Sequence, residues 1–308
     1  MRLPRFITGL FDPPRRFSGG LALNLFGYHF LRILFLNIVV GLRRRRGFDD
    51  PDRKRVLETV LRDGAVVIPD FFPEDVFRMI KEECATKDLA VFNERAPRIL
   101  RSAFVAEGMA SAAPVLEQHL AQNRFNADIV SAVLRQDVSS MPTVQVERSW
   151  TDAEDIGKPT TDKQDNLHFD VCYPTMKCFL YLNDVDASNA AFSYVFGSQR
   201  MTWARAWMEH VMGLKFWSWS KTDQARITPE VPAEFIEANG MKVVPLAGKA
   251  NTLIIANTMG FHRRGRFSTT EPREMIIVNY RGMASLSGFK KKYRALRDAV
   301  FGRNSTKR

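Results

Sequence analysis

From about residue 141 the chain becomes a succession of short strand-like runs, at 143–150, 175–183, 191–196, 243–246, 251–257 and 274–281. Turn residues such as Asn183-Asp184, Gly197-Ser198 and Gly248-Lys249 separate them. Parallel strands are usually joined through a crossover helix, and apart from residues 200–240 no helical pattern intervenes between these runs. The pattern therefore predicts a mainly β fold with flanking helices, an antiparallel double-sheet barrel or jelly roll.

The helices come first. A charged amphipathic stretch at 52–62 ends at Gly64, and the β-branched run Ala65-Val66-Val67-Ile68 reads as a strand. Pro73-Glu74-Asp75 opens a second helix to about residue 86, and further helices are expected at 111–121 and 125–136. These should cover one sheet. Residues 200–240 read as a helical insertion carrying Trp203, Trp207, Trp217 and Trp219, either an apolar lid, an interfacial anchor or ordinary core.

The formal charge of +11 invites a nucleic-acid reading, but its distribution argues otherwise. Residues 1–46 carry nine arginines against Asp12 alone, and residues 289–308 carry eight basic side chains against Asp298. What lies between is mildly acidic, so both ends suit an anionic surface better than the body suits a nucleic-acid groove. Cys84, Cys172 and Cys178 are odd in number and lack CxxC spacing, which excludes a disulfide framework and points to a reducing, cytoplasmic setting.

Residues 21–42 are the most apolar run, followed at once by Arg43 to Arg46. The length approaches that of a membrane span. Arg32 near its centre costs roughly 2.5–3.5 kcal/mol on insertion scales, and Asn24, His29 and Asn37 add to that. On a helical projection Asn24, Tyr28 and Arg32 form one polar stripe on an otherwise apolar cylinder. Three placements fit: a helix lying at the headgroup interface on the inner face of a membrane, a single span, or a helix packed within the protein. The expected organisation is a basic, apolar anchor at 1–48, a catalytic domain at 49–288 and a basic tail at 289–308.

The candidate chemistry centres on His168-Phe169-Asp170. On an extended backbone residues i and i+2 point the same way, so one imidazole and one carboxylate can converge on an ion. His262, just past the predicted strand at 251–257, is placed to complete a face of three ligands. Two His and one carboxylate with open positions opposite suit Fe(II) with a chelating cosubstrate and O2. Arg273 follows eleven residues later on a strand, where its planar fork can grip a carboxylate with two parallel hydrogen bonds. Gln145, on the strand before the motif, is a candidate positioning residue, with an ordinary polar role as its alternative. Cys172 and Cys178 read as packing residues, since thiols beside an oxidising centre are vulnerable.

The stretch from His168 to Arg200 resembles the central signature of the phytanoyl-CoA dioxygenase family of Fe(II)/2-oxoglutarate oxygenases. Leu182-Asn183-Asp184-Val185-Asp186, Asn189-Ala190 and Phe196-Gly197-Ser198-Gln199 match its blocks in part. Ala190 stands for a turn glycine, Phe196 for a proline and Gln199 for a histidine. The run Asp63 to Phe72 resembles the family's first strand, and the likeness extends over residues 52–285. It implies a double-stranded β-helix, iron held by His168, Asp170 and His262, and 2-oxoglutarate with its far carboxylate on Arg273. It further implies decarboxylation to succinate coupled to hydroxylation of an unactivated C–H bond. Halogenating relatives replace the ligand carboxylate with a small residue, so Asp170 favours hydroxylation.

The apolar N-terminal segment, the tryptophans and the basic ends together suggest a lipid or lipid-linked substrate. A polar metabolite, an envelope glycan, or a membrane-associated scaffold without chemistry are the alternatives. Nucleic-acid demethylases of the superfamily carry Arg-x5-Arg after the distal His, and Asn279 stands where the second arginine would be.

Overall fold

The computed structural model describes residues 21–86, 91–94, 98–104, 112–138, 142–158, 163–215 and 229–280. Two helices open it, α1 (Leu21–Leu25) and α2 (Tyr28–Gly41). The amphipathic stretch becomes α3 (Pro51–Asp63), whose start is fixed by Pro51 in the first turn and by Asp50, which accepts from Arg53 N at 2.7 Å. Gly64 ends it at φ 90°, a left-handed conformation, and a Cβ at this position would run into Tyr194 and Gln199.

There follow β1 (Ala65–Ile68), α4 (Glu74–Thr86), β2 (Val91–Glu94) and β3 (Arg98–Phe104). Next come α5 (Pro114–Leu116), which runs into a π-turn at Glu117–Ala121, and α6 (Arg124–Leu134). The chain then enters β4 (Pro142–Trp150), β5 (Met176–Tyr181) and β6 (Phe192–Val195). The insertion supplies α7 (Trp203–Lys215) and α8 (Ala233–Ala238). The last strands are β7 (Val243–Pro245), β8 (Leu253–Asn257), β9 (His262–Arg264) and β10 (Arg273–Tyr280). Phe216, Trp217, Trp219, residues 1–20 and the basic C-terminal tail lie outside the described residues.

Ten strands form two antiparallel sheets among the described residues, a seven-stranded one in the order β1-β8-β5-β10-β4-β3-β2 and a three-stranded one in the order β7-β6-β9. This is the expected double-stranded β-helix. Alternation along the large sheet divides its side chains. Met176, Cys178, Leu180, Leu253, Ile255, Ile276 and Val278 face the helices, where they bury against Val56, Val60, Ile80, Ile129 and Val130. Phe179, Tyr181, Ile254, Ala256, Met275 and Ile277 face the small sheet and pack on Phe192, Tyr194 and Leu246. Each such burial stabilises by roughly 1.5–3 kcal/mol. Register matters because a slip of one residue would exchange the two faces.

The strands predicted from sequence recur within two residues at each end. Strands β2, β3 and β9 were not foreseen, and the helix expected at 111–121 is a single α-turn continuing into the π-turn.

The N-terminal helices are packed against the body. Asn24, Tyr28, His29 and Arg32 are turned inward, and Asn37 is half-buried. Ile33 and Leu36 bury against Cys172, Tyr173 and Ala206. Asn37 Nδ2 donates to Cys172 O at 3.1 Å, and the Arg135 guanidinium donates to the carbonyls of Gly41 and Arg43, closing the end of α2. No described helix is long and apolar enough to cross a membrane.

Candidate metal centre

His168 and Asp170 lie on the connection between β4 and β5, and His262 begins β9. Their backbones are joined directly. His168 N donates to His262 O at 2.9 Å and His262 N donates to His168 O at 2.8 Å, while Asp170 N donates to Thr258 O at 3.0 Å. The two histidines are thus opposed residues of an antiparallel bridge, and their rings stand 4.4 Å apart between centroids. One ligand atom from each of His168, Asp170 and His262 lies within 4.8 Å of the others.

Each imidazole is fixed by a second contact. His168 Nδ1 meets Asn166 O and His262 Nδ1 meets Gly260 O, both at 2.8 Å. A carbonyl can only accept, so Nδ1 carries a proton in each ring. His168 Nε2 is buried and has no hydrogen-bond partner. Burial, and then the neighbouring His262, push the His168 pKa down to about 3, so the ring is neutral at ordinary pH. Asp170 Oδ1 sits 3.8 Å from His262 Nε2, and Oδ2 takes Lys177 Nζ at 2.8 Å. Burial opposes the carboxylate charge, but Lys177 and His262 outweigh it and hold the Asp170 pKa well below the usual range. A neutral His168 with a bare Nε2 and an ionised Asp170, with His262 beside them, are therefore placed as ligands. Their orphaned lone pair and shared face fit a divalent iron of the two-His, one-carboxylate type.

Arg273 enters from β10, nearly wholly buried, with Nη2 on Glu147 Oε1 at 2.8 Å and Nη1 on Ala190 O at 2.5 Å. Its Nε has no partner. A guanidinium has five N–H donors, so the group is anchored and still has donors to offer. Burial lowers its pKa, and the Glu147 carboxylate works against that. The turn 183–190 sets this arginine in place. Asn183 donates to Pro272 O at 2.7 Å and accepts from Glu274 N at 2.8 Å, clamping the backbone on either side of Arg273. Gln145 stands opposite Ile277 on β4, on the same inward face as Glu147 and Arg273. No contact joins it to the His168, Asp170, His262 cluster among the described residues.

Sequence reasoning missed three neighbours. Lys177 steers Asp170, and Glu147 anchors Arg273. Arg205 backs the site from α7: its guanidinium lies 5.3 Å from the Phe169 ring and 4.6 Å from the Phe261 ring, and donates to the carbonyls of Ser198 and of Met259 (2.6 Å). Its partner is Glu209, at 2.7 Å and fully buried. The i, i+4 spacing of Arg205 and Glu209 was a readable signal; the other two pairings depend on register. Cys172 and Cys178 are buried packing residues, as expected, and burial raises the pKa of both thiols. A second acidic group, Asp152, Glu154 and Asp155, lies in a partly exposed turn with Lys158 at 3.1 Å from Asp155.

The model of the phytanoyl-CoA dioxygenase family matches residues 60–237. No curated protein matches the sequence significantly. Among solved structures, the α-ketoglutarate-dependent epimerase SnoN from nogalamycin biosynthesis is 16% identical, with 75% of this chain and 83% of that one covered at a TM-score of 0.46. AviO1 from Streptomyces viridochromogenes is 15% identical, with 77% and 98% covered at 0.47. HygX from Streptomyces hygroscopicus, solved with nickel, 2-oxoglutarate and hygromycin B, is 17% identical, with 73% and 86% covered at 0.44. Likenesses this distant add no weight to the assignment. The family match alone spans more than half of the sequence, and it includes the His168-Phe169-Asp170 motif. The chain belongs to the phytanoyl-CoA dioxygenase family of Fe(II)- and 2-oxoglutarate-dependent oxygenases.

Proposed function

We propose that this oxygenase hydroxylates an unactivated C–H bond of a lipid or lipid-linked substrate at a membrane surface, with His168, Asp170 and His262 as its iron ligands. The observation that carries the catalytic part is the His168, Asp170, His262 cluster, with both Nδ1 atoms tied to carbonyls and His168 Nε2 bare. Bound there, Fe(II) with 2-oxoglutarate supplies the oxidation of a C–H bond by O2. The protein's own part is to position. Paired backbones hold the two imidazoles at a fixed spacing, and Lys177 keeps one oxygen of Asp170 occupied so that the other faces the histidines. Arg273, held by Glu147 and the Ala190 carbonyl, offers its remaining donors to the far carboxylate of 2-oxoglutarate. Gln145, on the same inward face, is proposed to position the cosubstrate. Phe169, Phe261 and Met208 bury together in one apolar cluster adjoining the ligand-bearing loops. The lipid part of the reading is supported by apolar side chains left exposed on α2 and α7, which contact the ligand-bearing loops at Cys172 and Met259.

Anaerobic titration of the purified protein with Fe(II) and 2-oxoglutarate should give the weak absorption of a chelated keto acid near about 500 nm, an order-of-magnitude position for an open facial site. His168→Ala should abolish it, and no band in folded wild-type protein refutes the catalytic reading. Consumption of 2-oxoglutarate that rises with lipid extracts but not with water-soluble metabolites would support the substrate class; the reverse would refute it.

A further inference from the structure

The helix α2 carries apolar side chains on both faces, with Ile33 and Leu36 buried against the body beside His29 and Arg32. Its polar residues His29 and Arg32 face the body, while Leu31, Ile38 and Leu42 face out, 59%, 59% and 82% exposed. Spacings of seven and four residues put these three on one side of the cylinder. Before it, Phe26 is 87% exposed. Beside it, Phe30 stacks on Trp203 at 5.8 Å between centroids, and Trp203 and Trp207, one turn apart on α7, are 72% and 62% exposed. Apolar surface of this extent, with both tryptophans on it, marks an interaction site. After Leu42 and the half-buried Arg43 come Arg44, Arg45 and Arg46, all exposed, lining with Gly47 an open hollow of about 440 Å³.

We infer that this face is the membrane-docking surface, with one occupant: an anionic bilayer. Leu31, Ile38, Trp203 and Trp207 enter the interfacial layer, and Arg44 to Arg46 receive the phosphate-bearing headgroups. The exposed arginine run beside the apolar face is what matches an anionic bilayer, whose phosphates supply the opposite charge. Tryptophan beside exposed aliphatic side chains suits the headgroup boundary. The face also shares its supports with the metal centre. Helix α2 holds Cys172 O, two residues past Asp170, and α7 holds Met259 O, three residues before His262. The inference rests on the lipid-surface reading above and names the surface that serves it.

The test uses the full chain without iron or 2-oxoglutarate, sedimented with phosphatidylcholine vesicles containing or lacking phosphatidylglycerol. Wild type should bind the anionic vesicles and release them as salt rises. The pairs Leu31→Ser with Ile38→Ser, and Trp203→Ser with Trp207→Ser, should each weaken binding roughly tenfold or more. The triple Arg44→Gln, Arg45→Gln, Arg46→Gln should weaken it about 100-fold and remove the preference for phosphatidylglycerol. Each variant should keep the wild-type circular dichroism and the Fe(II)/2-oxoglutarate band, because none of these side chains touches the centre. No vesicle binding by wild type, binding that the apolar variants leave unchanged, or a concentration-dependent dimer that they dissolve would each overturn the inference. A band retained without vesicle binding would mean that the surface fails and the oxygenase stands; vesicle binding without a band would mean the opposite.

Discussion

Ala190 shows how much one backbone conformation carries. It sits at φ 65°, fully buried, and its carbonyl is one of the two anchors of Arg273. Gly265 lies so close that a Cβ there would clash with the Ala190 backbone. A left-handed alanine costs roughly 1–2 kcal/mol, and glycine at the same place loses about as much through chain entropy and the missing methyl. Ala190→Gly should therefore stay within about 1 kcal/mol of wild type in urea unfolding, at unchanged slope. Ala190→Val should lose about 3 kcal/mol or more, since a β-branched side chain is an outlier at positive φ. Part of the centre is legible at this scale: type and spacing single out His168, Asp170 and His262 as a candidate set, while Arg273 stands out only beside the family resemblance. Glu147 and Lys177 do not, because their roles exist only once β4, β5 and β10 are in register.

Helix α7 joins the outer surface to the metal centre through one buried ion pair. Arg205 and Glu209 are both almost wholly inside, and burial raises the Glu209 pKa while Arg205 opposes the shift. Removing one partner leaves the other charged and buried. Arg205→Met is expected to destabilise by about 3–5 kcal/mol, and adding Glu209→Leu should recover part of that loss. Denaturant unfolding of the two singles and the double measures the coupling; additive losses would refute it. At the level of elements, strands of four or more residues with β-branched runs are readable. Strand β9, His262–Arg264, is not, because three residues with two arginines carry no alternation. The orientation of α2 is likewise invisible in its own periodicity. Its polar stripe marks a face, and only the Cys172–Tyr173 segment and α7 decide that the face is turned inward.

The whole molecule depends on how the N-terminal helices are attached. His29 is buried, and burial followed by the charges of Arg32 and His210 push its pKa down to about 3 from 6.5. The folded protein thus holds this ring neutral, whereas the unfolded chain protonates it near pH 6.5. Stability from this group is complete above pH 6.5 and is lost as pH falls towards 3. The melting temperature of wild type should fall through that window more steeply than that of His29→Asn; parallel curves would refute it. His168 acts in the same direction in both proteins, so the difference between them isolates His29.

Strand β10 is the last described segment in sequence, yet it lies in the middle of the large sheet, between β5 and β4. During synthesis the chain must therefore hold two half-sheets apart, β1-β8-β5 and β4-β3-β2, each with an open edge, until residues 273–280 have left the ribosome. Joining them delivers Arg273 in the same event. Completion of the sheet and acquisition of the cosubstrate clamp coincide, and a nascent chain stalled before Tyr280 has neither.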